Sequence, residues 1–160
     1  MTPDPACPPR LRGGARPANL SILQHMALYI RDFRASDRAG LSGLGARSRL
    51  LGRRPAPDAG VRILCGLRGD GLAAAVRMTL SDHTGFIPAL QAGEGATRTS
   101  DVREMLAEAC LWFTARGATQ IELSFLPDDG DLISTLREMG FAPCPASRVL
   151  RRAVPARSAA

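Results

Sequence analysis

Residues 101–116, DVREMLAEACLWFTAR, carry Val102, Met105, Leu106, Ala109, Trp112 and Phe113 at intervals of three and four. That spacing lays one apolar stripe along a helix, which must be buried against another layer. Gly117 stands where a helix ends in the left-handed conformation. TQIELSFLP then alternates Ile121, Leu123 and Phe125 against Glu122 and Ser124, the period of a half-buried strand. A shorter helix over DDGDLISTLREMGF turns Leu132, Ile133, Leu136 and Met139 inward and closes at Gly140, and SRVLRR can form a last strand. With the apolar run GFIPALQ ahead of the long helix, the second half is predicted to contain a β-α-β unit.

The first half has a different rhythm. Leu28, Ile30 and Phe33 form a short strand in MALYIRDF, Ser36 or Asp37 can cap a helix, and Leu41, Leu44 and Leu51 repeat at helical spacing in a glycine-weakened stretch. VRILCGL and LAAAVRMTL are two strands joined by RGDG, whose Asp-Gly suits the positive backbone angles of a tight hairpin. That turn accounts for the Arg68-Gly69-Asp70 tripeptide better than an adhesion signal does. The fold class is therefore mixed α/β, with an antiparallel first half.

A chain of 160 residues allows one domain with a hydrophobic core. We expect the domain at 26–154, a disordered Pro- and Arg-rich extension at 1–25 and a disordered tail at 155–160, with Met26 as the natural start. The net charge of +6 sits in the ends: residues 26–147 hold fourteen cations and fourteen acids. A nucleic-acid groove would need its charge on the folded body, so nucleic acid is not expected as the main partner. All 21 cations are arginine, which excludes a lysine-dependent P-loop. Cys7, Cys65, Cys110 and Cys144 are scattered, without the spacing of a zinc site or a disulfide framework, and Cys110 lies near the apolar stripe as a packed thiol. The N-terminus lacks the apolar core of a signal peptide and no segment reaches a membrane span, so a soluble cytoplasmic protein without a membrane partner is expected.

YIRDFRASDRAGLSGL, RILCGLRGDGLAAAVRM and MLAEACLWFTARGATQIELSFLPDDGDLISTLREMGF together resemble the GNAT superfamily of N-acetyltransferases over about residues 28–152. The resemblance implies a sheet whose fourth and fifth strands splay apart. It also implies acetyl coenzyme A as co-substrate in the gap, its pyrophosphate at the N-terminus of the long helix, and direct attack by a small-molecule or protein amine. Leu90, Gln91 and Ala92 would contact pantetheine through the backbone, and Thr97, Arg98, Thr99, Ser100, Asp101, Val102 and Arg103 would form the pyrophosphate loop. A homodimer is compatible with it.

The departures from the family pattern lie in that loop. Aligned without a gap, the motif Arg or Gln-x-x-Gly-x-Gly or Ala falls on Thr97 to Val102, so Ser100 and Val102 replace the small residues, while Gly93 and Gly95 come earlier, at the strand exit. Asp101, with Glu104 three residues on, reads as the N-cap of a capping box that would take the N–H groups a phosphate needs. On the short helix, Leu136 stands where many members carry an acid Tyr, and Asp129 stands at the polar position often held by Asn. Glu122 and His83 are the candidate general bases. Two functions are thus expected: N-acyl transfer from acetyl coenzyme A, or a GNAT-fold binding or regulatory module that has lost it. The first is favoured because the splayed cleft outlasts an eroded signature.

Overall fold

The computed structural model describes residues 27–44, 60–124, 129–145 and 149–155. In chain order these form β1 (Tyr29–Asp32), a 3-10 turn (Ala35–Asp37), α1 (Arg38–Gly43), β2 (Val61–Arg68), β3 (Gly71–Ser81) and β4 (Thr84–Ala92). They continue with α2 (Arg98–Ala115), β5 (Gln120–Leu123), α3 (Gly130–Glu138), β6 (Ala142–Pro143) and β7 (Leu150–Ala153). The strands make one sheet in the order β1-β2-β3-β4-β5-β7-β6. All pairings are antiparallel except β4 with β5, which α2 connects as a β-α-β crossover. The extension 1–25, Leu51 and Phe125 lie outside the described residues.

The two faces of the sheet have separate cores. Leu64, Val76, Met78, Ile87, Ile121 and Leu123 meet Met105, Leu106, Ala109 and Phe113 of α2 and Leu132 and Leu136 of α3. Cys65, Ala75 and Ala89 meet Leu41 and Leu44 on the opposite face. Phe113 comes so close to the sheet that a Cβ on Gly85 would lie 2.6 Å from its ring; only glycine fits there.

Local chemistry departs from expectation at three points. Asp37 stands at the N-cap position of α1, but its side chain makes no cap bond there: it accepts from the Arg34 N–H at 2.7 Å and from both terminal Arg31 guanidinium nitrogens at 2.7 Å. In the first hairpin the central residues are Gly69 and Asp70, with Arg68 paired to Gly71; Gly69, at φ 57°, takes the positive angle that Asp70-Gly71 was expected to take. A second hairpin, β3 to β4, turns through Asp82 and His83 at φ 47° and 63°, both in the left-handed region that a type I′ turn requires.

Candidate active site

β4 is two strands in one. As far as Ile87 it pairs with β5, through Thr84↔Gln120, Gly85↔Ile121, Phe86↔Glu122 and Ile87↔Leu123. Against β3, the register passes from Thr79↔Phe86 to Arg77↔Ala89, so Ile87 and Pro88 together oppose Met78. That is a β-bulge, with the extra residue bending the strand. Pro88, which has no N–H to donate to a neighbour, sits in it, and the Ser124 N–H closes the last bond to β5, on Ile87 O, at 3.2 Å. The bulge also switches faces: Ile87 points to the α2 side, Ala89 to the other.

Beyond the bulge, among the described residues, β4 pairs only with β3. Gly93 N–H donates to Ala73 O at 2.8 Å. By the alternation of an antiparallel ladder, Gln91 also faces β3, while the N–H and C=O groups of Leu90 and Ala92 turn to the edge that β5 has left. A glycine-bearing connection, Gly93 to Thr97, leads from this edge into α2.

Helix α2 begins one turn earlier than expected, with Thr97 at the N-cap position and Arg98 N–H bonded to Gly95 O at 3.2 Å. Asp101 is therefore not the cap, and the proposed capping box with Glu104 is absent. The Asp101 N–H already makes the helical bond to Thr97 O at 2.8 Å. Its carboxylate, 2% exposed, accepts instead from Arg68 Nε at 2.8 Å and Nη2 at 2.5 Å on Oδ1, and from Thr97 Oγ1 at 3.1 Å on Oδ2. Because these partners are side chains, Asp101 leaves the backbone N–H groups of Thr99 and Ser100 untouched; the first turn of a helix has no internal acceptors for them.

The remaining predicted residues divide clearly. Ser100 Oγ donates to Thr97 O at 2.8 Å. Val102 is buried in the core, and Arg103 pairs with Glu138 of α3. Arg98 Nη1 lies 3.3 Å from Asp129 Oδ2, linking the start of α2 to the start of α3, where Asp129 Oδ1 caps the Asp131 N–H at 2.9 Å. Glu122 was expected on an exposed strand face but is 9% exposed, with Oε1 held by Arg151 Nε at 2.6 Å across the β5–β7 pair. It lies one pair before the split, on the face away from α2. His83 is elsewhere: it sits in the β3–β4 turn, with Nδ1 3.1 Å from Gly117 O, four residues and about 13 Å back along β4 from Ile87. The structure thus brings Leu90, Ala92, Thr97 to Ser100 and Asp129 to one end of the sheet, with Glu122 across it, and leaves His83 at the other.

Two contributors were missed. Pro88 inside an apolar run was a legible sign of a bulge. Arg68, read only as part of a turn, had no local signal, since its partner lies 33 residues away.

No family model matches the chain, and no curated protein matches it in sequence. Solved structures do. A ribosomal-protein alanine N-acetyltransferase of Escherichia coli superimposes with a TM-score of 0.65 at 10% identity, covering 82% of this chain and 97% of that one. The PaiA N-acetyltransferase of Thermoplasma acidophilum, solved with coenzyme A, gives 0.65 at 12%, covering 81% and 100%. A GNAT-family acetyltransferase of Staphylococcus aureus gives 0.60 at 12%, covering 81% and 100%. The fold is that of the GNAT N-acetyltransferases. No helix among the described residues is long and apolar enough to cross a membrane.

Proposed function

We propose that this chain is an N-acyltransferase that moves an acetyl group from acetyl coenzyme A to a small-molecule or protein amine. The observation that carries the reading is the end of the β4–β5 ladder at Ile87, beyond which the Leu90–Ala92 edge leads to the start of α2 with no strand partner among the described residues. When bound, acetyl coenzyme A supplies a thioester whose carbonyl accepts the amine nitrogen and whose thiol leaves.

The residues of this chain fit such a group. Leu90 and Ala92, with Gln91 between them, offer the pantetheine amides an edge like the one a β-sheet offers an extended peptide. The N–H groups of Thr99 and Ser100 and the helix dipole suit a pyrophosphate, with Thr97 and Arg98 beside them. Asp101 is turned away into Arg68, and Val102 into the core. Glu122, fixed in orientation by Arg151, is the carboxylate that would align the amine or take its proton.

Titration calorimetry with acetyl coenzyme A tests this reading, followed by mass spectrometry of a panel of amines incubated with it. Micromolar binding and acetylated product are expected; no binding at millimolar cofactor removes the enzyme reading. One observation favours the second reading, a GNAT-fold module without acyl transfer: Leu136, 2% exposed, is packed in the core where many members hold the acid Tyr. Binding without turnover on any amine would select it.

A further inference from the structure

Asp101 is the residue that should spoil an anion site at the start of α2. A carboxylate in the first turn of an 18-residue helix sits beside the N–H groups a phosphate would use and repels it. The structure shows how the charge is answered. Arg68, the last residue of β2, places Nε and Nη2 on Asp101 Oδ1 at 2.8 and 2.5 Å, and Thr97 Oγ1 closes on Oδ2 at 3.1 Å. Arg68 Nη2 also lies 3.7 Å from Glu104 Oε1. The Asp101 and Arg68 side chains are only 3% and 17% exposed, so solvent screens the pair weakly. Arg68 is aimed there by the two-residue turn at Gly69 and Asp70, which ends β2 directly in front of α2.

We propose that Arg68 is a positioning residue for the phosphate end of the co-substrate: acting through Asp101, it cancels a carboxylate that would otherwise close the N-terminus of α2 to anions. The inference rests on the reading of this chain as an acyltransferase. It explains how an acidic residue is tolerated in the pyrophosphate loop, as a pair whose second member comes from a distant hairpin. Arg68 need not touch the anion. Its contribution is neutralisation, so losing both members should matter less than losing Arg68 alone.

The test compares wild type, Arg68→Met, Asp101→Asn and the double variant, using three probes in calorimetry: inorganic pyrophosphate, acetyl coenzyme A and S-acetylpantetheine. Arg68→Met should weaken pyrophosphate and acetyl coenzyme A about tenfold, more at low salt than at high. The same change should leave S-acetylpantetheine unaltered, because it carries no pyrophosphate; a general loss of structure would weaken all three. The double variant should return to within about threefold of wild type, a coupling that only neighbours show. Equal pyrophosphate affinity in wild type and Arg68→Met, or no recovery in the double variant, overturns the proposal, as does failure of wild type to bind pyrophosphate at all. If Arg68→Met does not fold, Asp101→Asn decides: it should tighten pyrophosphate, and unchanged or weaker binding overturns the inference. The expected pyrophosphate pattern without any binding of acetyl coenzyme A would sink the acyltransferase reading and leave the role of Arg68 standing.

Discussion

Replacing Gly85 by alanine adds one methyl group at the closest approach between the long helix and the sheet. Its Cβ would stand 2.6, 2.7 and 2.8 Å from Cδ1, Cγ and Cε1 of Phe113, where carbon atoms prefer about 3.5–4.0 Å. One partner must give by about 1 Å. The strand is held on both sides, by Leu80 of β3 and Ile121 of β5. The ring is 0% exposed and meets Trp112 edge-on, with centroids 5.1 Å apart. Overpacking of this kind costs about 1–3 kcal/mol, and with neither side free to move the upper part of that range applies. Alanine restricts the unfolded chain more than glycine and returns about 0.4–1 kcal/mol. The net loss is about 2 kcal/mol, or about 6–10 °C in melting temperature for a domain of this size. Trp112 is the sole tryptophan, so its emission during a thermal melt reports both unfolding and any displacement of the helix. Phe113→Leu in the alanine background should cost less than it does alone. A Gly85→Ala protein that melts within 2 °C of wild type, with unaltered emission, would refute the contact as described.

Three further perturbations have defined signs. The hydrogen bonds from Arg31 hold the Asp37 carboxyl below its ordinary value against the opposing effect of burial, with the Arg34 N–H adding to them. The native state therefore binds fewer protons than the unfolded one, and the stabilisation is present above about pH 4 and lost as pH falls through the depressed value. Asp37→Asn should cost about 3 kcal/mol in urea denaturation at pH 7 and less at pH 3, by up to about 1 kcal/mol; an equal cost at both would contradict the ion pair. Burial pushes the Cys65 thiol up to about 12 and raises Cys110 as well, so neither should react with iodoacetamide at pH 8 until the protein is unfolded. Peptide mass spectrometry showing native labelling of Cys65 would place it outside the core. Gly69→Ala forces a side chain into the left-handed region, at φ 57°, and should lose about 1 kcal/mol; a chemical-denaturation midpoint equal to wild type would show that the hairpin turns differently.

The antiparallel half, the β-α-β crossover and the two core-facing helices were legible because each rests on a local period: Val102 to Phe113 on the helical one, Ile121 and Leu123 on the strand one. What escaped was decided by partners remote in sequence. Asp101 carries every local mark of a cap, yet Arg68 claims its carboxylate and the helix starts a turn earlier, bringing the Gly93–Thr97 connection up to its N-terminus. Glu122 reads as a solvated residue until Arg151 on β7 covers it. His83 looked close to the site because it is near in sequence to β4, but it occupies the wrong end of that strand. The bulge was the one feature with a visible sign, Pro88, whose effect on register needs the neighbouring strand to be seen.

Four arginine–carboxylate pairs tie this sheet to its surroundings: Arg31 on Asp37, Arg62 on Asp32, Arg68 on Asp101 and Arg151 on Glu122. A guanidinium stays protonated and is not an acyl acceptor at neutral pH, and no lysine occurs among the 160 residues. A reactive thioester held at the strand edge would meet no side-chain amine of its own host. If the proposed co-substrate binds there, an acetyl group transferred to a side-chain amine marks an acceptor outside these 160 residues.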